Sequence, residues 1–264
     1  MAAELTYGED AAAGYERAFA HVSAHFVTFL LHAARLAPNM RVLDIASGTG
    51  LAAEAAMAAV GKGGYVTAAD ISPAMAEKAR VRFAGAPNTA VSLENGQSMS
   101  FPDESFDAVL CSLGLMFFPN PARGLSEFRR VLRPGGWAAL SVPAALERSY
   151  NGKINRAIVR YAPSLAEATA RFFSLGDEAR LLSLFEGAGF REVGITTETH
   201  RFMFPSFDAY FGPFERGGGS TGQAFLALTE EQRPVVREEM QREVGNTGGP
   251  IGIEVDIRIA SGRR

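Results

Sequence analysis

Between residues 40 and 143 the chain alternates short apolar runs with helical patterns, and this rhythm constrains the fold more than any other feature. The runs are "MRVLDIA" (40–46), "GYVTAADI" (64–71), "AVSLENG" (90–96), "SFDAVLCSL" (105–113) and "GGWAALSVP" (135–143). Each has the length of a buried strand. "GLAAEAAMAAVG" (50–61), "SPAMAEKARVRFAG" (72–85) and "NPARGLSEFRRVL" (120–132) read as helices among them. Ser72 and Asn120 stand as N-caps, Pro73 takes the first helical position, and Gly61 closes a helix. Strands alternating with helices at this spacing call for a parallel sheet covered on both faces. The fold class expected is α/β, a doubly wound, mostly parallel sheet. Such sheets bind ligands beyond the carboxyl ends of their strands, where strand order reverses.

Outside that core the rhythm changes. Residues 9–37 form an Ala-rich helix, with Phe19, Val22, Phe26, Phe29, Ala33 and Leu36 on one side and Pro38 to stop it. Residues 177–190 read as a helix, and "REVGITTETHRFMF" (191–204) alternates like a strand. "IGIEVDIRIASG" (251–262) has near-perfect period two. The predicted organisation is one domain over 1–264. Residues 1–39 cap it, 40–143 form the ligand-binding core, and 144–176 and 205–249 are helical lid insertions.

Composition narrows the class. A chain of 264 residues that is 47% hydrophobic can bury a large core. A net charge of -3 gives no broad nucleic-acid-binding face. The single Cys111 points to a reducing compartment, and the acidic start "MAAELTYGED" lacks the marks of a signal peptide. The apolar stretch 26–37 is too short to span a bilayer. These features lead us to expect a cytoplasmic protein with no membrane span, acting on a small molecule, and compatible with a homodimer.

The strand ends carry the chemistry. In "VLDIASGTG" (42–50), Asp44 precedes Gly48 and Gly50, and Ala53 stands where a pyrophosphate-binding G-x-G-x-x-G needs its third glycine. A carboxylate at Asp44 repels a pyrophosphate and suits an ammonium. Asp70 ends the second strand 20 residues after Gly50, where an acid accepts the ribose hydroxyls of an adenosine. The ligand implied has an adenosine, no phosphate and an ammonium, and S-adenosylmethionine meets all three conditions. Two other readings stay open: a nicotinamide-dependent oxidoreductase on a related sheet, and a protein that binds the cofactor without catalysis.

"VLDIASGTG", "AADISPAM", "NGQSMSFPDESFDAVLCS" and "LRPGGWAALSV" resemble the successive motifs of class I S-adenosylmethionine-dependent methyltransferases. The resemblance is nearest to the group that includes the ubiquinone and menaquinone C-methyltransferases, and its motifs span residues 40–143. It implies seven strands, the last antiparallel; the motifs themselves say little about the substrate, and the reading adopted is a small, aromatic or isoprenoid-like acceptor methylated at carbon, oxygen or nitrogen. It implies that Asp44 holds the methionine amino group, that Gly48 and Gly50 admit the methionine part, and that Ala46 and Ser47 lend backbone groups. Asp70 would take the ribose diol, Ile71 and Met75 would enclose the adenine, and Ser112 would offer its carbonyl to the amino group. The family's acidic start at 95–97 is replaced by Asn95, Gly96 and Gln97, of which Asn95 keeps an amide oxygen for the adenine amino group. "CSLG" at 111–114 departs from the Asn/Asp-Pro-Pro-aromatic signature of enzymes that methylate adenine or glutamine.

Methyl transfer from a sulfonium asks mainly for alignment and exclusion of water, with a base only if the acceptor must lose a proton. His21, His25 and His32 lie near one another on the first helix, with no carboxylate or cysteine beside them to complete a metal site. They form a polar edge of a capping helix, from which His21 is the candidate base. Tyr7 and Tyr15 are placed to close over the cofactor's carboxylate end. Phe118, of the pair 117–118, is the candidate acceptor wall. Phe211 and Phe214, in the aromatic stretch 207–219 that runs into three glycines, are candidate lid residues. Trp137 reads as core, and the charged helix 229–244 as a solvated face.

Overall fold

The computed structural model describes residues 9–245 and 248–264. A long helix α1 (Glu9–Ala33) leads into β1 (Arg41–Ile45), α2 (Leu51–Val60), β2 (Tyr65–Asp70), α3 (Pro73–Arg82) and β3 (Thr89–Leu93). The chain then crosses back to β4 (Phe106–Ser112), α4 (Pro121–Val131) and β5 (Leu132–Pro143). The seven-stranded sheet is ordered β3-β2-β1-β4-β5, followed by β7 (Ile251–Arg263) and β6 (Arg191–Phe204), with β7 antiparallel to both its neighbours. The order reverses between β1 and β4, which pair in parallel through Val42–Ala108 and Asp44–Leu110. That junction opens the cleft at the strand ends.

Consecutive strand residues serve opposite faces. Val42 and Ala108 meet α1, α2 and α3 on one face, while Leu43 and Val109 meet α4 and α7 (Glu178–Gly187) on the other. Trp137 is buried as expected, with the Arg35 guanidinium 3.8 Å above its ring. The first helix ends at Ala33, short of residue 37, because Arg35 and Asn39 take left-handed backbone angles of 51° and 70°. Phe29, expected inside, is left at the surface.

Residues 144–176 carry α5 (Gly152–Tyr161) and α6 (Ala166–Phe173). Residues 205–249 carry α8 (Phe207–Glu215), α9 (Gly219–Leu226) and α10 (Gln232–Glu243). Helices α5 and α8–α10 share one core with α1, β6 and β7. The aromatic stretch forms helix α8, capped by the Ser206 hydroxyl, which accepts from the Ala209 amide at 3.2 Å. Its glycine run is buried against α1. A Cβ on Gly218 would lie 2.8 Å from the Cβ of Ala18, and Gly219, at φ 62°, would strike the Phe19 ring. The charged helix α10 is more than a solvated face. It buries Val236 and Met240, while Arg237 pairs with Asp208 and Glu215 of α8, and Glu239 and Glu243 pair with Arg160 and Arg156 of α5. Among the described residues no helix is long and apolar enough to cross a membrane.

Candidate active site

One cavity of about 380 Å³ lies over the carboxyl ends of β1, β2 and β4, roofed by α1, α5 and α6. Its floor starts with the β1–α2 loop. Ala46, Gly48 and Gly50 take left-handed angles of 55°, 56° and 90°, and Ala46 does so without a glycine's freedom. Leu113, at the facing end of β4, is likewise left-handed at 50°. Both strained residues line the cavity. The two glycines differ in role. A side chain on Gly48 would enter open space, as a loop meant to admit a ligand requires, whereas one on Gly50 would strike the Phe83 ring at 2.8 Å. Gly50 does not line the cavity, so its expected part in holding ligand is corrected to starting α2.

Asp44 is fully buried below this floor. Neither of its carboxylate oxygens has a hydrogen bond of normal geometry, the Ala53 amide making only a loose approach, and Ser47 Oγ and Thr49 Oγ1 close by in sequence are buried and unpartnered too. Burial pushes its pKa up to about 8, with the charge of Asp70 adding and the Ala53 amide opposing. Asp70 is held differently. Gly48 N–H donates to one oxygen at 2.8 Å and Ser72 N–H to the other at 2.9 Å. Burial still raises its pKa against those amides. A carboxylate has about four lone-pair positions, so both oxygens keep capacity for a ligand.

Above Asp70, Ile71 is 44% exposed and lines the cavity, an apolar side chain left without a protein neighbour to cover it. Met75 lines the same end and is buried; its amide donates to the Ser72 cap at 3.4 Å. The Asn95 amide oxygen accepts from the Gln97 N–H at 3.0 Å and keeps its second lone pair for a further donor. Gln97 in turn accepts from the Asn120 N–H through Oε1 and from Arg123 Nε through its carbonyl, each at 2.7 Å. The 95–97 turn is thereby fastened to the start of α4. A Cβ on Gly96 would collide with the Phe118 ring at 2.4 Å, so the glycine gives that ring its seat. Ala46, Ser47, Ser112, Asn95, Gly96, Gln97 and Tyr15 all line the cavity.

The acceptor-side expectations need correction. His21 does not line the cavity. Its ring stands edge-on to Tyr150, Phe202 and Phe204 at 5.5–5.6 Å, because α1 turns Phe19, Val22 and Ser23 inward instead. Partial burial lowers its pKa. Phe211 and Phe214 are wholly buried in the helical layer, with Phe214 5.6 Å behind Phe19, and neither reaches the cavity. Phe118 does line it, at the Gly96 end, while Phe117 faces Phe172 of α6 across 5.4 Å. Tyr7 lies outside the described residues. Two groups escaped the sequence reading. Glu94 lines the cavity almost fully buried, accepting from the Ser100 amide at 3.0 Å. The polar run 149–151 with Asn155 also lines it, and the unusual density of Ser, Tyr and Asn in "RSYNGKIN" was the available signal.

A family model for a methyltransferase domain matches residues 43–140. A ubiquinone/menaquinone biosynthesis C-methyltransferase of Proteus mirabilis is 30% identical over 186 residues, 65% of this chain and 74% of that protein. The chain belongs to the class I S-adenosylmethionine-dependent methyltransferases. An uncharacterized protein of Mycobacterium tuberculosis is 28% identical over 227 residues, 84% of this methyltransferase and 79% of the relative. The fold matches Haemonchus contortus phosphoethanolamine N-methyltransferase 2, solved with phosphomonomethylethanolamine and S-adenosylhomocysteine. The TM-score is 0.63 at 14% identity, over 98% of this chain and 58% of that one. Membership sets aside the nicotinamide-dependent reading. The methyltransferase uses S-adenosylmethionine, and the residues present fit it: a buried carboxylate without a normal hydrogen bond, a glycine whose missing side chain leaves open space, and an uncovered Ile71.

Proposed function

We propose that this methyltransferase alkylates a small, largely apolar acceptor, aromatic or isoprenoid-like, at carbon, oxygen or nitrogen. The observation that carries this reading is the division of one continuous cavity. Asp70, Glu94, Gly48 and Asn95 line the strand-end part, whereas Phe19, Val22, Phe117, Ile158, Leu165 and Phe172 line the part beneath the helices. The first part is read as the cofactor half and the second as the acceptor half.

In this reading Asp44 faces the methionine ammonium, Gly48 admits the methionine chain, and Asp70 accepts from the ribose hydroxyls. Ile71 and Met75 enclose the adenine, and Tyr15 closes the α1 side. S-adenosylmethionine, when bound, supplies a methyl group already activated on a sulfonium. The protein then has two tasks, to hold the acceptor in line and to keep water out, and rigid apolar walls serve both. No histidine lines the cavity among the described residues, and burial holds the Tyr150 phenol protonated well above its ordinary range. The reading therefore assigns no side-chain base.

The test is a panel of phenolic, quinol and prenyl-alcohol acceptors incubated with S-adenosylmethionine, with S-adenosylhomocysteine release as the readout. Turnover confined to hydrophilic, charged acceptors would overturn the apolar assignment. Tight cofactor binding with no turnover on any acceptor would favour the non-catalytic reading.

A further inference from the structure

The acceptor half is mostly apolar, with Tyr150, Thr169 and Ser220 among its polar members, and an arc beginning at the N-cap of α5 adds two side-chain amides. Asn151, Asn155 and Ile158 follow at helical spacing i, i+4, i+7, and all three line the cavity. The cations of the same helix, Lys153, Arg156 and Arg160, are engaged elsewhere, by Glu243 and Glu239 of α10. Asn151 is engaged too, its amide nitrogen donating to Thr221 Oγ1 at 2.7 Å. The side-chain amide of Asn155 makes no hydrogen bond to any described residue, although its helix neighbours Ile154, Ala157 and Ile158 are buried. No side chain caps α5 at that end either. Asn155 is itself only partly buried, so water meets its amide in the empty cavity, and an acceptor that offers an oxygen there replaces that water without loss of the hydrogen bond.

The surrounding charge says what kind of group can meet it. In the acceptor half Arg171 is the one cation lining the cavity among the described residues, and it is half exposed and paired with Glu167 at 3.1 Å. No carboxylate lines that half, whereas Asp70 and Glu94 line the other. A buried anion beside Asn155 would face those acids with no buried cation to offset it, and a buried cation would have no counter-charge of its own. A neutral oxygen incurs neither cost.

We propose that Asn155 is a residue by which this enzyme recognises its acceptor, through its amide nitrogen, and that the acceptor carries a neutral hydroxyl or carbonyl oxygen on a largely apolar body. The proposal rests on the division into cofactor and acceptor halves given above. It supplies what apolar walls lack. A hydrophobic surface separates bodies of similar size weakly, whereas an amide built to meet an oxygen rejects the analogue that lacks it.

The test uses the whole protein saturated with S-adenosylhomocysteine and follows binding of 1-naphthol, naphthalene and 1-naphthoate by the fluorescence of the ring. 1-Naphthol should bind at least about fivefold more tightly than either of the others. Asn155→Leu and Asn155→Ala should each weaken 1-naphthol about five- to tenfold, leave naphthalene unchanged, and leave S-adenosylhomocysteine affinity unchanged, which also shows that both variants fold. Undiminished 1-naphthol binding in both variants, preference for 1-naphthoate, or no binding of 1-naphthol to the parent protein would overturn the proposal. Failure of the parent protein to bind S-adenosylhomocysteine is read in a separate titration, and would overturn the division of the cavity and this proposal with it.

Discussion

On the floor of the cavity, Asp70 and Asn95 are fixed by backbone, while Asp44 is left without a normal hydrogen bond. Asp70 is clamped by two amides, Asn95 by a third, and Ala46 and Leu113 hold strained angles at adjacent strand ends. On the roof, side chains hold one another: Phe19 packs on Phe214, Phe117 on Phe172, and α10 ties to α5 and α8 through ion pairs. The floor can be tuned to one ligand because its geometry comes from the sheet. The roof can be reshaped by substitution because side-chain packing and ion pairs define it.

The largest expected effect tests the roof. Phe214→Ala removes a fully buried ring and should cost about 3–5 kcal/mol of stability in chemical denaturation. A loss below about 1 kcal/mol would mean that the helical layer does not depend on its core as described.

Next comes the floor. Asp70→Ala should weaken S-adenosylhomocysteine by about 1–3 kcal/mol in calorimetry, the range for a hydrogen bond to a charged group. Unchanged affinity would remove the diol assignment.

A gentler probe is pH. The Asp44 carboxyl, raised from 3.8 to about 8, keeps its proton in the empty protein at neutral pH and must release it to face an ammonium. Cofactor affinity should therefore climb as pH rises toward 8, by at most about 1.4 kcal/mol per pH unit, and level off there. The folded state binds this proton more tightly than the unfolded chain. Asp44 should therefore make the empty protein less stable as pH rises from 3.8 toward 8, and bound cofactor should flatten that slope. Asp44→Asn should abolish both dependences; a pH slope that survives would point to another group.

The smallest effect separates floor and roof from the surface. His21→Gln should change turnover less than about twofold, because a ring outside the cavity adds no proton transfer of the 10²–10⁴-fold kind. A hundredfold loss would restore His21 as the base.

The sequence by itself determined the strands of the sheet core and most of the floor, Glu94 excepted. Strand period, helix caps and the acids at strand ends act over a few residues, so "VLDIASGTG" and "AADISPAM" carry their own geometry. Gly48, Asp70 and Met75 line the cavity, while Asp44 lies buried at the end of β1 without lining it. Tertiary structure alone decided the roof. Whether Phe211, Phe214 or His21 meets the cavity depends on how α1, α5, α8 and α9 rotate against each other, and residues far apart in the chain settle that. Gly14 and Gly218, whose near-contact lets α1 and the start of α9 approach, are one such pair. Asn155 escaped notice for the same reason: one asparagine in a helix is ordinary until the fold turns it toward an apolar wall and gives it no partner.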